Sequence, residues 1–305
     1  QAGIVWTGFK NFDNFNPPLK PGSFGMFQAR TNMGKSMMLM GMALSNHFGV
    51  YSKAFHKPEM KGKVQGNKVI VITIEMSDIE YAFRMDSHIS GFKHTEEFTL
   101  ANIVEDEQKV SAWKNKVQNF GNPTSDILIY WVPENCTPNV VDKIIMENPF
   151  KPDLVIVDYI GDMSSGLPGL SNYDWKAQAF LYTRMKQLAG KHKCVIFSAQ
   201  QTIRGVKKIS DETGSASDKA SHIADLLIAI EQTESDKLHN DKDSDGNDVE
   251  GRYTLREYKV RSGKRLMTHI IPEYHKMNWK EKEVERPIEA GETVTKEDTK
   301  KKKKS

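Results

Sequence analysis

Cysteine is nearly absent from this 305-residue chain: Cys136 and Cys194 are too few for a disulfide framework and lack the spacing of a zinc site. Cys194 opens the apolar run "CVIFSA", where a plain buried thiol is expected. No run of 18 apolar residues occurs and no signal-peptide pattern is visible, so a soluble, cytoplasmic protein without a membrane partner is expected. There are no internal repeats. Excess charge is lacking too. The formal net charge is +3, and residues 296–305 supply six Lys against Glu297 and Asp298. The remainder is therefore near −1, and any nucleic-acid contact has to come from local patches instead of bulk charge. The chain opens on Gln1 rather than Met, which leaves a fragment of a longer protein as one reading.

What is present is the stretch Ala29 to Ser36, "ARTNMGKS", after the apolar Phe24, Met26 and Phe27 and before an apolar helix. It follows the phosphate-loop pattern GxxxxGK[ST] with Ala29 in the first glycine position, through Arg30, Thr31, Asn32, Met33, Gly34, Lys35 and Ser36. A loop that leaves a strand and opens a helix turns its backbone N–H groups inward, and the helix N-terminus adds partial positive charge. Gly34 permits close approach of backbone to phosphate. Lys35 can reach the β- and γ-phosphates, and the Ser36 hydroxyl can hold Mg²⁺. A nucleoside triphosphate is the expected ligand.

Four runs read as strands buried on both faces: Val69–Ile74, Ile127–Val132, Leu154–Val157 and Val195–Ala199. Helical stretches alternate with them at Ser36–Phe48, Asp78–Ser90, Asp106–Phe120, Val140–Glu147 and Tyr173–His192. That alternation predicts an α/β fold, a largely parallel sheet with helices on both faces. From Asp225 the pattern becomes strands without long helices ("DLLIAIE", "RYTLREYKV", "RLMTHIIP", "HKMNWK"), expected to be antiparallel edge strands joined by hairpins. The expected organisation is a lead-in over 1–23, a core over 24–281 and a disordered charged tail over 282–305. Two insertions interrupt the core. His47–Asn67 carries several Lys and three Gly and is expected to be a mobile basic loop. In Ser235–Gly251, Asp241, Asp243, Asp245 and Gly246 imitate a calcium loop, but Arg252 stands where the bidentate Glu belongs, so a solvated hairpin tip is the better reading.

In open α/β sheets, ligands sit outside the carboxyl ends of the strands. "LVIVD" ends in Asp158, four apolar residues and then a carboxylate, suited to hold Mg²⁺ together with Ser36; an acid there could also cap the next loop. Glu75 closes "VIVITIE" and could deprotonate the water that attacks a γ-phosphate, or be a capping or surface glutamate. Gln200 ends "CVIFSAQ"; an amide both donates and accepts, which suits sensing a γ-phosphate or its water.

With these positions fixed, the chain resembles the RecA-like P-loop ATPase domain of DnaB-type replicative helicases, from about Thr7 to Trp279. The resemblance rests on "TGFKNFDNF…LKPGSF", "ARTNMGKS", "ITIEMS" followed by Arg84 and Met85, "VIVDYI", "RMKQLAGKHKCVIFSAQ", "SDETGS", "ADLLIAI" and "YKVRSG", eight strings in the family's order. Ala followed by Arg is common at the start of that family's phosphate loop. The resemblance implies that Glu75 is the catalytic glutamate, Asp158 the Walker B acid and Gln200 a phosphate sensor coupled to DNA. It implies that Lys259 and Arg261 enter the neighbouring subunit's ATP site, where an arginine finger can be worth ~10³–10⁵ in rate. Without it, those two alternate residues of one strand would simply share a solvated face. It further implies that Asp211–Ser215, with Glu212, Thr213 and Gly214, lines a channel for single-stranded DNA. No Arg stands there as in the bacterial proteins, and Arg204, Lys207 and Lys208 could supply charge instead.

The implied protein is a homo-hexameric helicase that uses ATP and Mg²⁺, runs 5′ to 3′ on single-stranded DNA, and meets primase and a helicase loader. The family's helical N-terminal domain and most of its linker helix are not in this sequence, so either it is a fragment or it recruits those partners differently. The short segment between Gln200 and Asp211 and the two insertions would suit a phage or plasmid version, acting in the host cytoplasm. A RecA-like recombinase or strand-annealing ATPase is the rival reading, and a regulatory ATPase ring that does not translocate is a third.

Overall fold

The computed structural model describes residues 3–49, 66–90, 108, 110–112, 114–115, 125–171, 174–201, 222–260, 265–274 and 277–282. Among these, the strands are β1 Phe24–Ala29, β2 Val69–Thr73, β3 Ile127–Trp131, β4 Leu154–Asp158, β5 Val195–Gln201, β6 Leu226–Glu231, β7 Asn240–Lys242, β8 Asp248–Glu250, β9 Tyr253–Val260, β10 Met267–Glu273 and β11 Asn278–Glu281. Nine of them form one sheet in the order β11-β10-β9-β6-β1-β5-β4-β2-β3, and the pair β7 and β8 makes a separate hairpin. Helices α1 Lys10–Phe15, α2 Lys35–His47, α3 Asp78–Ser90, α4 Pro138–Glu147, α5 Trp175–His192 and the one-turn α6 Glu234–Lys237 accompany them. The predicted helix over Asp106–Phe120 lies mostly outside the described residues; those of its residues that are described are helical.

Period-2 alternation divides each parallel strand between two cores. Val69, Val71, Leu154, Ile156, Val195, Phe197 and Ala199 face α2 and α3, with Tyr81 and Met85. Ile70, Ile72, Val155, Val157 and Ile196 face α4 and α5, with Val141, Leu181, Tyr182 and Met185. Helix α2 is buried nearly all round because a second layer covers it. A Cβ added at Gly41 would run into the Trp279 ring, so only glycine lets β11 come this close. Thr137 accepts a hydrogen bond from Val140 N to start α4, with Pro138 next, and Asp174 accepts one from Lys176 N to start α5.

Two expectations change. Strand β6, expected as an antiparallel edge strand, runs parallel to β1 inside the sheet, with Gly25 opposite Leu226 and Ala29 opposite Ile230. Its apolar run buries on both faces, as a parallel interior strand requires. Within the large sheet, antiparallel pairing is confined to β6 with β9, β9 with β10 and β10 with β11. The lead-in is also core: Val5, Phe9 and Phe12 are fully buried, and Phe9 stacks on Trp279 at 4.7 Å between centroids. The acidic insertion is a hairpin as expected. Its Asp243 carboxylate accepts from Asp245 N, Asn247 N and Asn247 Nδ2, the local hydrogen bonding of a turn. The basic insertion is largely, and the tail beyond Lys282 wholly, outside the described residues.

Candidate functional site

Where β1 ends, Ala29 is buried and the chain turns through two residues with left-handed backbone, Asn32 (φ 59°) and Gly34 (φ 73°), before α2 begins. A side chain at Gly34 would face the left-handed penalty, and its Cβ would lie 3.1 Å from Met37 Cε. Lys35 Nζ donates to Arg30 O at 3.0 Å and stands 5.6 Å from the centre of the Tyr159 ring. Burial lowers its pKa, opposed by the carboxylates of Asp158, Glu75 and Asp162.

Asp158 ends β4 on the α2 face and is 3% exposed. Ser36 Oγ donates to its Oδ1 at 3.0 Å. Burial pushes the carboxyl up to about 6 although the Ser36 hydrogen bond and Lys35 pull it down. Its Oδ2 is buried with no hydrogen-bond partner among the described residues. The buried Tyr81 hydroxyl acts on the same carboxylate from α3 without completing a hydrogen bond. An orphaned carboxylate oxygen beside a serine hydroxyl is a hard-oxygen donor set. Two protein oxygens fit Mg²⁺, which keeps waters and takes further ligands from phosphates.

Lys35 and Ser36 line a cleft of about 560 Å³, which also takes in Thr31, Glu75, Arg84, Gln201, Tyr274 and Met277, with Asp158 buried behind Ser36. Glu75 lies two residues beyond β2 and is exposed at the cleft, placed to meet a ligand or its water. Asp162, in the short turn after β4, has its carboxyl raised by burial and by Glu75. Lys35 thus sits among three carboxylates.

Gln200 does not line this cleft. It alternates to the other face of β5, buried beneath α5 beside Tyr182. The next residue, Gln201, continues the face of Val195, Phe197 and Ala199. Its Nε2 donates to Thr31 Oγ1 at 2.6 Å, and its Oε1 accepts from Tyr159 Oη at 3.4 Å. Two adjacent glutamines carry no phase in the sequence; only the strand's entry into the sheet selects between them. Tyr274 and Met277 come from the far end of the chain, with no local signal to mark them.

Lys259 lies on β9 opposite Leu227, past a register shift between Leu227 and Ile228, and donates from Nζ to His222 O at 2.8 Å. Strand β9 starts at Tyr253 beside the cleft, so Lys259 is about 20 Å along the strand from it at ~3.3 Å per residue. Lys259 therefore cannot serve its own chain's phosphate loop. Arg261, Arg204, Lys207, Lys208, Glu212, Thr213 and Gly214 lie outside the described residues. No described helix is long and apolar enough to cross a membrane.

A family model for the DnaB-like helicase C terminal domain matches residues 4–271. No curated protein sequence matches the chain. Among solved structures, the fold is similar to that of an ATPase domain, with TM-score 0.67, 14% identity and 90% of each chain covered. It is also similar to a DnaB-like replicative helicase, described with its interactions with primase, with TM-score 0.62, 15% identity, 89% of this chain and 60% of that one. The chain thus spans about three fifths of the second protein's length.

Proposed function

The chain belongs to the DnaB-like helicase C-terminal domain family, and from that premise we propose that it is an ATP-hydrolysing motor that moves along single-stranded DNA, 5′ to 3′, as a homo-hexamer. The observation that carries the nucleotide reading is the phosphate loop with Ser36 Oγ held 3.0 Å from the half-satisfied Asp158 and Glu75 at the same cleft. The backbone amides of 30–36 and the Lys35 ammonium bind the triphosphate. Glu75 takes the proton of the attacking water. Ser36 and Asp158 would hold Mg²⁺, which when bound neutralises charge on the phosphates.

Because Lys259 is remote from its own cleft, it and Arg261 act on a neighbour's nucleotide, and the active unit is a seam between two copies. Sensing of the terminal phosphate falls to Gln201 by its bond to Thr31, with Gln200 transmitting through Tyr182 and α5. Strand β5 leads directly into 202–221, where Arg204, Lys207, Lys208, Glu212, Thr213 and Gly214 form the DNA contact. One of the similar helicases is described with primase; primase and a loader are the partners proposed for the complete assembly, in the cytoplasm.

Mixing two defective proteins tests this directly. Lys35→Ala loses the phosphate contact and Arg261→Ala loses the donated cation, so each alone hydrolyses ATP poorly. Mixed, they form seams carrying an intact Lys35 from one and Arg261 from the other. Recovered ATPase activity, stimulated by single-stranded DNA, is expected; no recovery on mixing would exclude the shared site.

A further inference from the structure

Tyr274 is one of the residues at the cleft that neither motif nor strand pattern marks. It follows β10 directly, and its hydroxyl reaches Asn32 O at 3.3 Å. Among the described residues its other hydroxyl partner is Tyr253 Oη, 2.5 Å away, at the first residue of β9. One phenol carries one proton, so the two bonds have a single consistent direction: Tyr253 donates to Tyr274, and Tyr274 donates to the Asn32 carbonyl. Burial raises the Tyr274 pKa, so it stays a donor at any ordinary pH. The acceptor matters because Asn32 holds a left-handed φ of 59°, one of the two turns that shape the phosphate loop. The Tyr274 ring also bears on the other, since a Cβ at Gly34 would lie 3.4 Å from its Cε1. The rings of Tyr253 and Tyr274 meet edge to face at 6.3 Å, and Tyr253 is nearly buried.

We infer that Tyr253 and Tyr274 are positioning residues: a two-hydroxyl relay that fixes the phosphate loop at Asn32 and ties it to β9, the strand bearing Lys259. The inference rests on the nucleotide reading above and adds a physical link within one subunit. The loop that receives the triphosphate and the strand that offers a cation to the neighbour are joined by two hydrogen bonds and a stiff strand. Binding that moves Asn32 therefore bears on the outgoing cation.

The test uses the full chain and a fluorescent, slowly hydrolysed ATP analogue. Tyr274→Phe keeps the ring and removes both hydrogen bonds, so its affinity should fall about fivefold, as expected for losing a net hydrogen bond. Tyr253→Phe removes only the upstream bond and should cost about twofold, a fraction of that net bond. The double variant should match Tyr274→Phe alone, because the upstream hydroxyl acts only through the downstream one. Cooperativity of analogue binding should drop in all three, a change that loosened packing at the ring would not produce. Multiplying effects in the double variant, or unaltered affinity in Tyr274→Phe, would overturn the relay while leaving the nucleotide reading standing. Failure of the unsubstituted chain to bind the analogue would overturn both.

Discussion

Two polar regions of this molecule bury carboxyl groups, and they bury them differently. At the phosphate cleft, Asp158 has one oxygen on Ser36 and the other orphaned. At the seam between the lead-in and the antiparallel strands, a second cavity of about 320 Å³ is lined by Asp13, Asn16, Lys186, Asp225 and Glu257. There Asp13 accepts from Thr7 N, Thr7 Oγ1 and Gly8 N, and Glu257 accepts from Asn16 Nδ2 and Leu266 N. Asp225 is held by the Lys186 ammonium and Phe24 N. Glu281 accepts from Lys10 N and Asn11 N, capping α1 from a distance. Burial raises acids in both regions, Asp13 to about 7 and Glu257 to about 8 against about 6 for Asp158. A displaced pKa therefore does not separate a site from a joint. What separates them is position: the Asp158 carboxylate lies behind a serine at the edge of an open cleft, whereas Asp13 and Glu257 are answered by the chain's own donors.

The sharpest way to break that contrast is to alter one region and read the other's property. Lys35→Ala should reduce ATP turnover by at least ~10³-fold, on the scale of losing a group that stabilises transferring phosphate. Its melting temperature should stay within about 2 °C, as for a substitution away from the core. Steady-state ATPase and calorimetry check both. At the seam, Phe9→Ala should cost ~3–5 kcal/mol of stability by opening a void against Phe27 and Trp279. Turnover measured well below its lowered melting temperature should be near normal. The gentlest perturbation is Glu257→Gln. A buried acid whose folded pKa exceeds its unfolded value lends stability that is complete below about pH 4.5 and lost as pH rises to about 8. Between about pH 5 and 8 the unsubstituted chain should thus weaken as pH rises. The amide should flatten that slope and gain about 1 kcal/mol at about pH 8. Denaturation series at several pH values decide it; an unchanged slope would place the titration elsewhere in the seam.

The parallel half was legible because its signals are local. Continuous β-branched runs marked β2 to β5, and a glycine-lysine-serine turn and an acid at a strand end marked Gly34, Lys35, Ser36 and Asp158. What escaped depends on partners distant in sequence. Strand β6 has the apolar run of an interior strand, but its direction is set by pairing with β1, about 200 residues earlier. Choosing Gln201 over Gln200 needs the phase of β5 in the sheet. Tyr274 reaches Asn32 across 242 positions, and Phe9 finds Trp279 across nearly the whole core.

The location of Lys259 has a geometric consequence. If each copy accepts charge at one end of its sheet and offers it from the other, copies must follow one another with a common direction, and a two-fold pair facing itself could not fill both clefts. An open row would then always strand one terminal cleft without its donor. Only closing the row makes every cleft equivalent, so circular order is selected by the chemistry of the last position as much as by the DNA it would encircle.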